Sequence, residues 1–389
     1  MPSAQVVTID YLGQPLTFRY QGWATLGANR RLTDDEYLTA CRLADRVAEL
    51  KSAGGLPAAA GAIGEGANAW SGILAGGWNP LFAKDRRHFD CLRLFCQPFT
   101  GFDQIDNSPG GTARTVLPDD AEDLLRRHQG VFHGSVLMLA DHRRLPDVAK
   151  IRLPLVFGEV GPVGNGMVLS YDAWCLQMEM NGLFGSGVIG YLQGQAARAS
   201  RVTVADIGSG FGGLAFQIGR TQPAGAFRFV AIDLPDSLLF AAIYLTTLWK
   251  DRPTYLAVPE GYLSTRTWTI IPRLPDDFAA VFVVTKLAER VLRELMPLDL
   301  IVNFRSMQEM SDAQVEEYGA LARATLGERG LLYEQNAITR GTDRDVKAIL
   351  GGIMPFGGLI EDTDPSHRDH GLVSLWSNQP IRLVRPATP

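Results

Sequence analysis

The sequence has few cysteines, no long apolar run and no excess of positive charge. Its four cysteines in 389 residues include no Cys-x-x-Cys pair and no histidine at metal-ligand spacing, which predicts buried thiols rather than disulfides or a metal site. They are Cys41, Cys91, Cys96 and Cys175. A net charge of −5 with dispersed lysines and arginines disfavours nucleic acid as a partner.

Targeting and membrane-spanning patterns are also missing. The first residues lack the basic start and apolar run of a secretory signal, and no apolar stretch approaches roughly 18 residues. We therefore expect a cytoplasmic protein without a membrane partner. The sequence also has no Gly-Lys-Ser or Gly-Lys-Thr, which excludes a nucleoside triphosphate loop of that type.

The composition, with 46% hydrophobic and 20% charged residues, is that of a globular protein. The length of 389 residues predicts about two domains. The pattern changes near residue 200. Before it, alternation around Gly13 predicts a small hairpin, and a capping box at Thr33 predicts a helix that ends near Lys51. We predict an N-terminal domain, residues 1–165, of mixed and mainly helical structure for substrate binding or oligomerisation, and a second domain over residues 166–389.

From residue 201 onward, strand-like and helix-like segments alternate. Strands are predicted at 202–207 and 227–232, and helices at 212–220 and 236–249. This βαβα unit predicts an α/β fold with a mainly parallel, Rossmann-like sheet. Further strands are predicted at 268–271, 299–303 and 331–334, and further helices at 282–295 and 311–326.

The C-terminal end of the pattern is antiparallel. The β-like runs Gly371–Trp376 and Ile381–Val384 are separated by only four residues, too few for a crossover helix. The two runs are therefore predicted to pair with each other as an antiparallel hairpin.

A glycine-rich turn follows the first strand of this region. GSGFGG at Gly208–Gly213 matches GxGxxG, and Asp233 lies about twenty residues further, where an acid that binds ribose is expected. The pattern therefore permits a nicotinamide or flavin oxidoreductase. Asp206, two residues before the first glycine, suits a cationic amine or a loop amide better than a pyrophosphate. A single strand series that ends in a hairpin also differs from the two parallel halves of a dinucleotide-binding fold.

The segments ADIGSGFGG and AIDLPDSL, together with the closing hairpin, resemble class I S-adenosylmethionine-dependent methyltransferases. Two further segments are more specific. VNFRSMQEM at Val302–Met310, with the following Val315–Tyr318, and FGEVG at Phe157–Gly161 are similar to segments of the bacterial sugar O-methyltransferase family. The resemblance spans about Leu153 to Pro386, and it implies a class I methyltransferase sheet that binds S-adenosylmethionine.

In such a fold the glycines would let the methionine part of the cofactor lie across the turn, because they lack a Cβ. The resemblance places Asp206 near the cofactor ammonium, Asp233 on the ribose hydroxyls and Leu234 on the adenine. The cofactor-binding residues that it implies are Asp206, Gly208, Ser209, Gly210, Gly212, Asp233, Leu234 and Asn303.

The acceptor is expected beyond the carboxyl end of the strand 299–303, because ligands bind there in open α/β sheets. Methyl transfer to a hydroxyl needs alignment, exclusion of water and a group that takes the proton. Glu309 is the first candidate for this base, and a place at the helix start near Ser311 is its alternative role. His133 is the other candidate base, with a structural histidine as the alternative. The predicted substrate-binding residues are Glu159, Arg305, Ser306 and Gln308.

Other polar residues carry weaker signals. Glu159 fits a satisfied turn residue as well as a ligand of substrate or cofactor. His367 and His370 precede the last predicted strands and face either the acceptor or water. Glu159, Asn303 and Glu309 are residue types that bind a divalent cation, but no spacing indicates such a cluster. No metal is therefore predicted.

The sequence thus predicts an S-adenosylmethionine-dependent O-methyltransferase that acts on a hydroxyl of a sugar, a nucleotide-linked sugar or a glycosylated natural product. Methylation of an amine or a carboxylate would use the same fold with another pocket. An NAD(P)-dependent oxidoreductase and a binding protein within an assembly are the alternatives. The expected partners are a small acceptor and, secondarily, a second copy of the chain.

Overall fold

The computed structural model describes residues 6–11, 13–19, 22–52, 79–96, 136–142, 145–164, 167–336, 345–360 and 372–383. Its contacts divide the chain into two compact units. The first holds the described residues of 1–44 and 79–181, and the second holds those of 45–78 and 182–386. The predicted boundary at 165/166 stays a prediction.

The chain up to residue 199 forms small sheets and helices. These are β1 (Val6–Tyr11), β2 (Gln14–Arg19), β3 (Gly22–Ala24), β4 (Gly161–Gly164), β5 (Met167–Val168), α1 (Asp34–Ser52), α2 (Arg86–Asp90), α3 (Leu92–Cys96), α4 (Tyr171–Gly185) and α5 (Val188–Ala199). Strands β1 and β2 pair as the predicted hairpin around Gly13, and β3, β4 and β5 form a second antiparallel sheet.

Helix α1 confirms the predicted capping box. The Glu36 amide donates to Thr33 Oγ1 over 3.2 Å, and the Thr33 amide donates to Glu36 Oε2 over 2.8 Å. The two side chains thereby satisfy amides that the first helical turn leaves without partners. The helix ends at Ser52, next to the predicted Lys51.

Ten described strands form one sheet in the second unit. They are β6 (Val202–Ile207), β7 (Phe227–Asp233), β8 (Thr254–Val258), β9 (Gly261–Ser264), β10 (Ile270–Ile271), β11 (Ala280–Val284), β12 (Leu298–Phe304), β13 (Leu326–Asn336), β14 (Phe356–Leu359) and β15 (Leu372–Ser377). Their order is β10-β9-β8-β11-β7-β6-β12-β13-β15-β14. The six strands from β8 to β13 in this order are parallel, and the outer pairs are antiparallel.

The parallel strands are connected by the helices α6 (Gly213–Thr221), α7 (Pro235–Leu248), α8 (Ala288–Leu295) and α9 (Asp312–Thr325). Helix α10 (Val346–Ile353) lies between β13 and β14 in the chain. Every residue of β6 and of β11 is buried, as expected for parallel strands covered on both faces. The predicted α/β class with a Rossmann-like sheet is confirmed. No described helix is long and apolar enough to cross a membrane, and no disulfide joins the four cysteines.

The predicted helix at 282–295 is wrong in its first part. Ala280–Val284 is the strand β11, which lies between β8 and β7, and the α-helix begins only at Ala288. The run Ala-Val-Phe-Val-Val is rich in β-branched residues and fully buried, and a continuous apolar run does not distinguish a buried strand from a helix by periodicity. The strand Thr254–Val258 was missed for the same reason.

The predicted C-terminal hairpin has the wrong partner strand. Strand β15 is antiparallel, as predicted, but it pairs with β13 on one side and β14 on the other, and residues 381–383 form no strand. Gly357 has φ +135°, and a Cβ there would lie 2.1 Å from the Leu375 carbonyl oxygen. The glycine therefore permits a close strand pairing that no hydrophobic pattern announces.

Candidate cofactor and acceptor site

The candidate site lies where the strand order reverses. From β6 the chain moves to β7 and β11 on one side, and it returns to β12 on the other side of β6. In open α/β sheets the crevice beyond the carboxyl ends of such a strand pair binds ligands. The glycine turn after β6 and the segment after β12 meet here, because a Cβ at Gly208 would lie 2.3 Å from Ser306 Oγ.

Three glycines of the turn have backbone angles that disfavour other residues. Gly208, Gly210 and Gly212 have φ values of +81°, +54° and +81°. Gly212 is also the N-cap of α6, and a Cβ there would lie 2.9 Å from Leu245 side-chain carbons. The turn therefore needs glycine for its own folding as well as for the predicted close approach of a ligand.

Asp233, at the end of β7, holds the glycine turn. Its Oδ2 accepts hydrogen bonds from the Gly210 amide over 2.8 Å and from Ser237 Oγ over 3.0 Å, and its Oδ1 accepts one from the Leu234 amide over 2.7 Å. Burial raises the pKa of Asp233 to about 7, although the three hydrogen-bond donors lower it. The charge of Glu309 also raises this pKa. Asp233 thus has an observed structural role, which is to hold the glycine turn. Its contact with ribose stays a prediction.

The other predicted cofactor residues lie around the same turn. Asp206 is buried near the end of β6, and Leu234 is the half-buried N-cap of α7. Ser209 is buried, and its hydroxyl has no hydrogen-bond partner among the residues that the structure describes. An unsatisfied buried hydroxyl costs free energy unless a ligand or water completes it.

Asn303 and Ser306 tie the two halves of the crevice together. Asn303 Nδ2 donates to the Ile207 carbonyl oxygen over 2.7 Å, and Ser306 Oγ donates to the same oxygen over 2.9 Å. Asn303 Nδ2 also contacts Ser306 Oγ. Both side chains therefore join the end of β6 to the end of β12, and their predicted contacts with cofactor and substrate stay predictions.

Glu309 ends a short 3-10 turn, Met307–Glu309, directly after the crevice segment. Its half-buried side chain does not cap α9, because Ser311 does. The Gln314 amide donates to Ser311 Oγ over 3.3 Å, and the Ser311 amide donates to Gln314 Oε1 over 2.8 Å. Glu309 therefore lies outside this capping box, and its charge contributes to the raised pKa of Asp233.

Arg305 and Gln308 lie in the same segment and are half-buried. Arg305 has φ +64°, which is uncommon outside glycine and concentrates at functional sites. Its amide donates to the Gln335 carbonyl oxygen over 3.0 Å, and the Gln308 amide donates to Asn336 Oδ1 over 3.1 Å. Their predicted role in substrate binding stays a prediction.

Glu159 belongs to the first unit and is buried in an ion pair. Its Oε1 lies 2.5 Å from Arg93 Nε, and the same guanidinium contacts Asp172. Burial raises the pKa of Glu159, and the Arg93 charge opposes this. This ion pair agrees with the alternative role predicted for Glu159, that of a residue whose polar contacts are satisfied within the protein.

The histidine candidates His133, His367 and His370 lie outside the described residues. Within the described ranges, no group of three or more His, Cys, Asp or Glu residues is arranged to hold a metal ion.

The sequence pointed to no role for several residues near the crevice. Tyr318 of α9 is buried, and its hydroxyl has no hydrogen-bond partner in the described part of the chain. Burial, then the charge of Asp233, raises its pKa. Glu334 and Asn336 are buried at the end of β13, and Lys347 Nζ lies 3.2 Å from Glu334 Oε1. No motif marks these last three residues, whereas Tyr318 stands in a segment that resembles sugar methyltransferases.

Comparison with known proteins gives distant structural likenesses. No protein-family model matches the chain, and no curated protein matches it. A TehB-like SAM-dependent methyltransferase from Corynebacterium glutamicum is similar over 50% of this chain and 88% of its own, at 16% identity and a TM-score of 0.31. A SAM-dependent methyltransferase from Agrobacterium tumefaciens is similar over 56% and 66%, at 11% identity and a TM-score of 0.30. Magnesium protoporphyrin IX methyltransferase from Synechocystis PCC 6803 is similar over 55% and 85%, at 11% identity and a TM-score of 0.30.

Proposed function

We propose that this protein is an S-adenosylmethionine-dependent methyltransferase. The observation that carries the proposal is the direction of β15. A dinucleotide-binding fold continues into a second parallel mononucleotide half, whereas here β15 follows β13 in the sheet and is antiparallel. Together with the glycine turn at the switch point, this favours the methyltransferase prediction over the NAD(P)-dependent oxidoreductase.

The residues around the turn fit this cofactor. Gly208, Gly210 and Gly212 shape the turn with positive φ, Ser209 offers a buried hydroxyl without a partner in the described residues, and Asp233 Oδ1 accepts only one hydrogen bond there. We expect Asp233 and Ser209 to bind polar groups of the cofactor and Leu234 to pack on its adenine. S-adenosylmethionine supplies an electrophilic methyl group on a sulfonium.

The chain itself supplies alignment and the proton acceptor. The Glu309 carboxylate would take the proton from the acceptor hydroxyl, while the bound cofactor would supply the methyl group and leave as S-adenosylhomocysteine. Arg305 and Gln308, on the same segment, orient the acceptor. The resemblance of Val302–Met310 to the sugar O-methyltransferase family favours a sugar hydroxyl as the acceptor. An amine or a carboxylate acceptor is the second candidate, since it needs only a different pocket.

Ligand-dependent thermal stabilisation tests the cofactor. S-adenosylhomocysteine is expected to raise the Tm, because a ligand at about 100 times its Kd stabilises the native state by about 2.7 kcal/mol, whereas NAD should not. Gly210→Val should abolish this rise. Gly225→Val is its matched control, since Gly225 also has positive φ, at +75°, and has open space around it. Stabilisation by NAD but not by S-adenosylhomocysteine would contradict the proposal.

The affinity for S-adenosylhomocysteine is expected to fall as the pH drops below the Asp233 pKa of about 7. The ionised carboxylate is the better acceptor for ribose hydroxyls, and burial raises its pKa, so protonation competes with binding in this range. The loss should approach about tenfold per pH unit below the pKa. Asp233→Asn should bind weakly with no such pH dependence. Calorimetry on both proteins on either side of neutral pH measures the effect, and a flat wild-type profile would contradict it.

A further inference from the structure

Asn336 uses its whole side-chain amide within the protein. Its Nδ2 donates to Asn303 Oδ1 over 3.0 Å and to Glu334 Oε2 over 2.9 Å. Its Oδ1 accepts from the Gln308 amide over 3.1 Å. Because both Nδ2 hydrogens are engaged, the amide has one orientation, with its oxygen toward the segment that carries Glu309.

Asn303 supports the same segment from the neighbouring strand. Its Oδ1 accepts from the Met307 amide over 3.1 Å, and its Nδ2 is bonded to the Ile207 carbonyl oxygen over 2.7 Å. The Glu309 amide donates to the Ser306 carbonyl oxygen over 3.1 Å. Two of the three successive amides at 307–309 are thus held by asparagine side chains rather than by the turn itself.

An ion pair between the half-buried Lys347 and the buried Glu334 anchors Asn336. Glu334 is fully buried, and its Oε1 lies 3.2 Å from Lys347 Nζ. Lys347 Nζ also donates to the Asn336 carbonyl oxygen over 3.3 Å. Removal of one member of such a polar network leaves the others unpaired.

We infer that Asn336 is a positioning residue for Glu309, because its amide connects the Glu334–Lys347 pair to the turn that carries the Glu309 carboxylate. The role rests on the proposed function, in which Glu309 is the base. Asn336 contacts the Gln308 amide and not the reacting atoms, so it acts through the turn.

The carboxyl carbon of Asp233 reports on this role in the ligand-free protein. The Glu309 charge acts on Asp233, so the position of Glu309 affects the Asp233 titration. We would label aspartate at Cγ, identify the Asp233 NMR signal by its loss in Asp233→Asn, and measure its pKa in each variant. Glu309→Gln should lower that pKa, because a nearby negative charge is removed.

Asn336→Leu should lower the Asp233 pKa by roughly half or more of the Glu309→Gln shift, and it should cause no further shift in the Glu309→Gln background. Asn378→Leu is the matched control, since Asn378 Nδ2 donates to the Arg323 and Leu326 carbonyl oxygens instead, and it should leave the pKa unchanged. If Asn336→Leu does not fold, Asn336→Ala serves in its place.

An Asp233 pKa that Asn336→Leu leaves unmoved, or moves equally in both backgrounds, would overturn the assignment. The proposed function is tested separately in the same samples by S-adenosylhomocysteine titration. Absence of binding in the wild type would overturn the methyltransferase proposal, whereas the ligand-free titration would still report on Asn336.

Discussion

Glu309→Gln is expected to lower the turnover number by about 10²-fold or more, with little change in S-adenosylhomocysteine affinity or Tm. Glutamine keeps the shape of the side chain but takes no proton from the acceptor. The helix start should not suffer, because Ser311 and Gln314 form its capping box. Methyl transfer to a confirmed acceptor, with calorimetry and thermal unfolding of the same protein, measures all three quantities.

Glu289→Gln is the matched control for this variant. Glu289 lies on α8, where it pairs with Arg293 over 2.9 Å with both side chains exposed, and its replacement should leave turnover unchanged. Near-normal turnover in Glu309→Gln together with a loss of about 1 kcal/mol in stability would instead assign Glu309 to the helix end. The catalytic assignment would then pass to His133.

Arg93→Met is expected to destabilise the protein by about 3–5 kcal/mol at neutral pH. Arg93 is 2% exposed and lies against Glu159 and Asp172, which are also buried. Methionine fills part of the volume of the arginine side chain, but it leaves two buried carboxyl groups without their cation. Such a group is costly while it is ionised and far less so once it is protonated.

The loss should therefore depend on pH. Burial already raises the pKa of Glu159, and Arg93 is the group that lowers it, so the pKa rises further in Arg93→Met. A carboxyl whose folded-state pKa is raised favours the folded state when protonated, and this contribution is lost as the pH rises through that pKa. Chemical denaturation should show a smaller deficit in acid than at neutral pH.

Arg30→Met is the control for a surface ion pair. Arg30 lies 2.6 Å from Glu36 Oε2 and its side chain is 48% exposed, so its loss should cost at most about 1 kcal/mol. A deficit in Arg93→Met as small as this, or one that does not change with pH, would contradict the buried-pair interpretation.

Much of the second unit could be predicted because its signals are local. The glycine turn, Asp233 at the end of a short apolar strand and the helix start near Ser311 each depend on neighbouring residues. The α/β class followed from the alternation of strands and helices. Glu309 could be placed at the carboxyl end of β12 because that end of a parallel sheet is where ligands bind.

The tertiary structure decided the features that depend on residues far apart in the chain. The sequence predicts a helix over part of β11, because burial on both faces removes the periodicity that marks a strand. The sequence predicts the wrong partner for β15. Gly357 pairs with Trp376, and the hydrophobic pattern gives no sign of this pairing.

The side-chain partners show the same division between local and distant information. Arg93 lies 66 residues from Glu159, and Asn336 lies 28 residues from Gln308. Local sequence determined which residue types stand at the ends of the strands. Only folding determined which buried carboxylates receive a cation and which amide holds the turn of Glu309, because a buried polar group is satisfied by whatever the packed chain brings within hydrogen-bond distance.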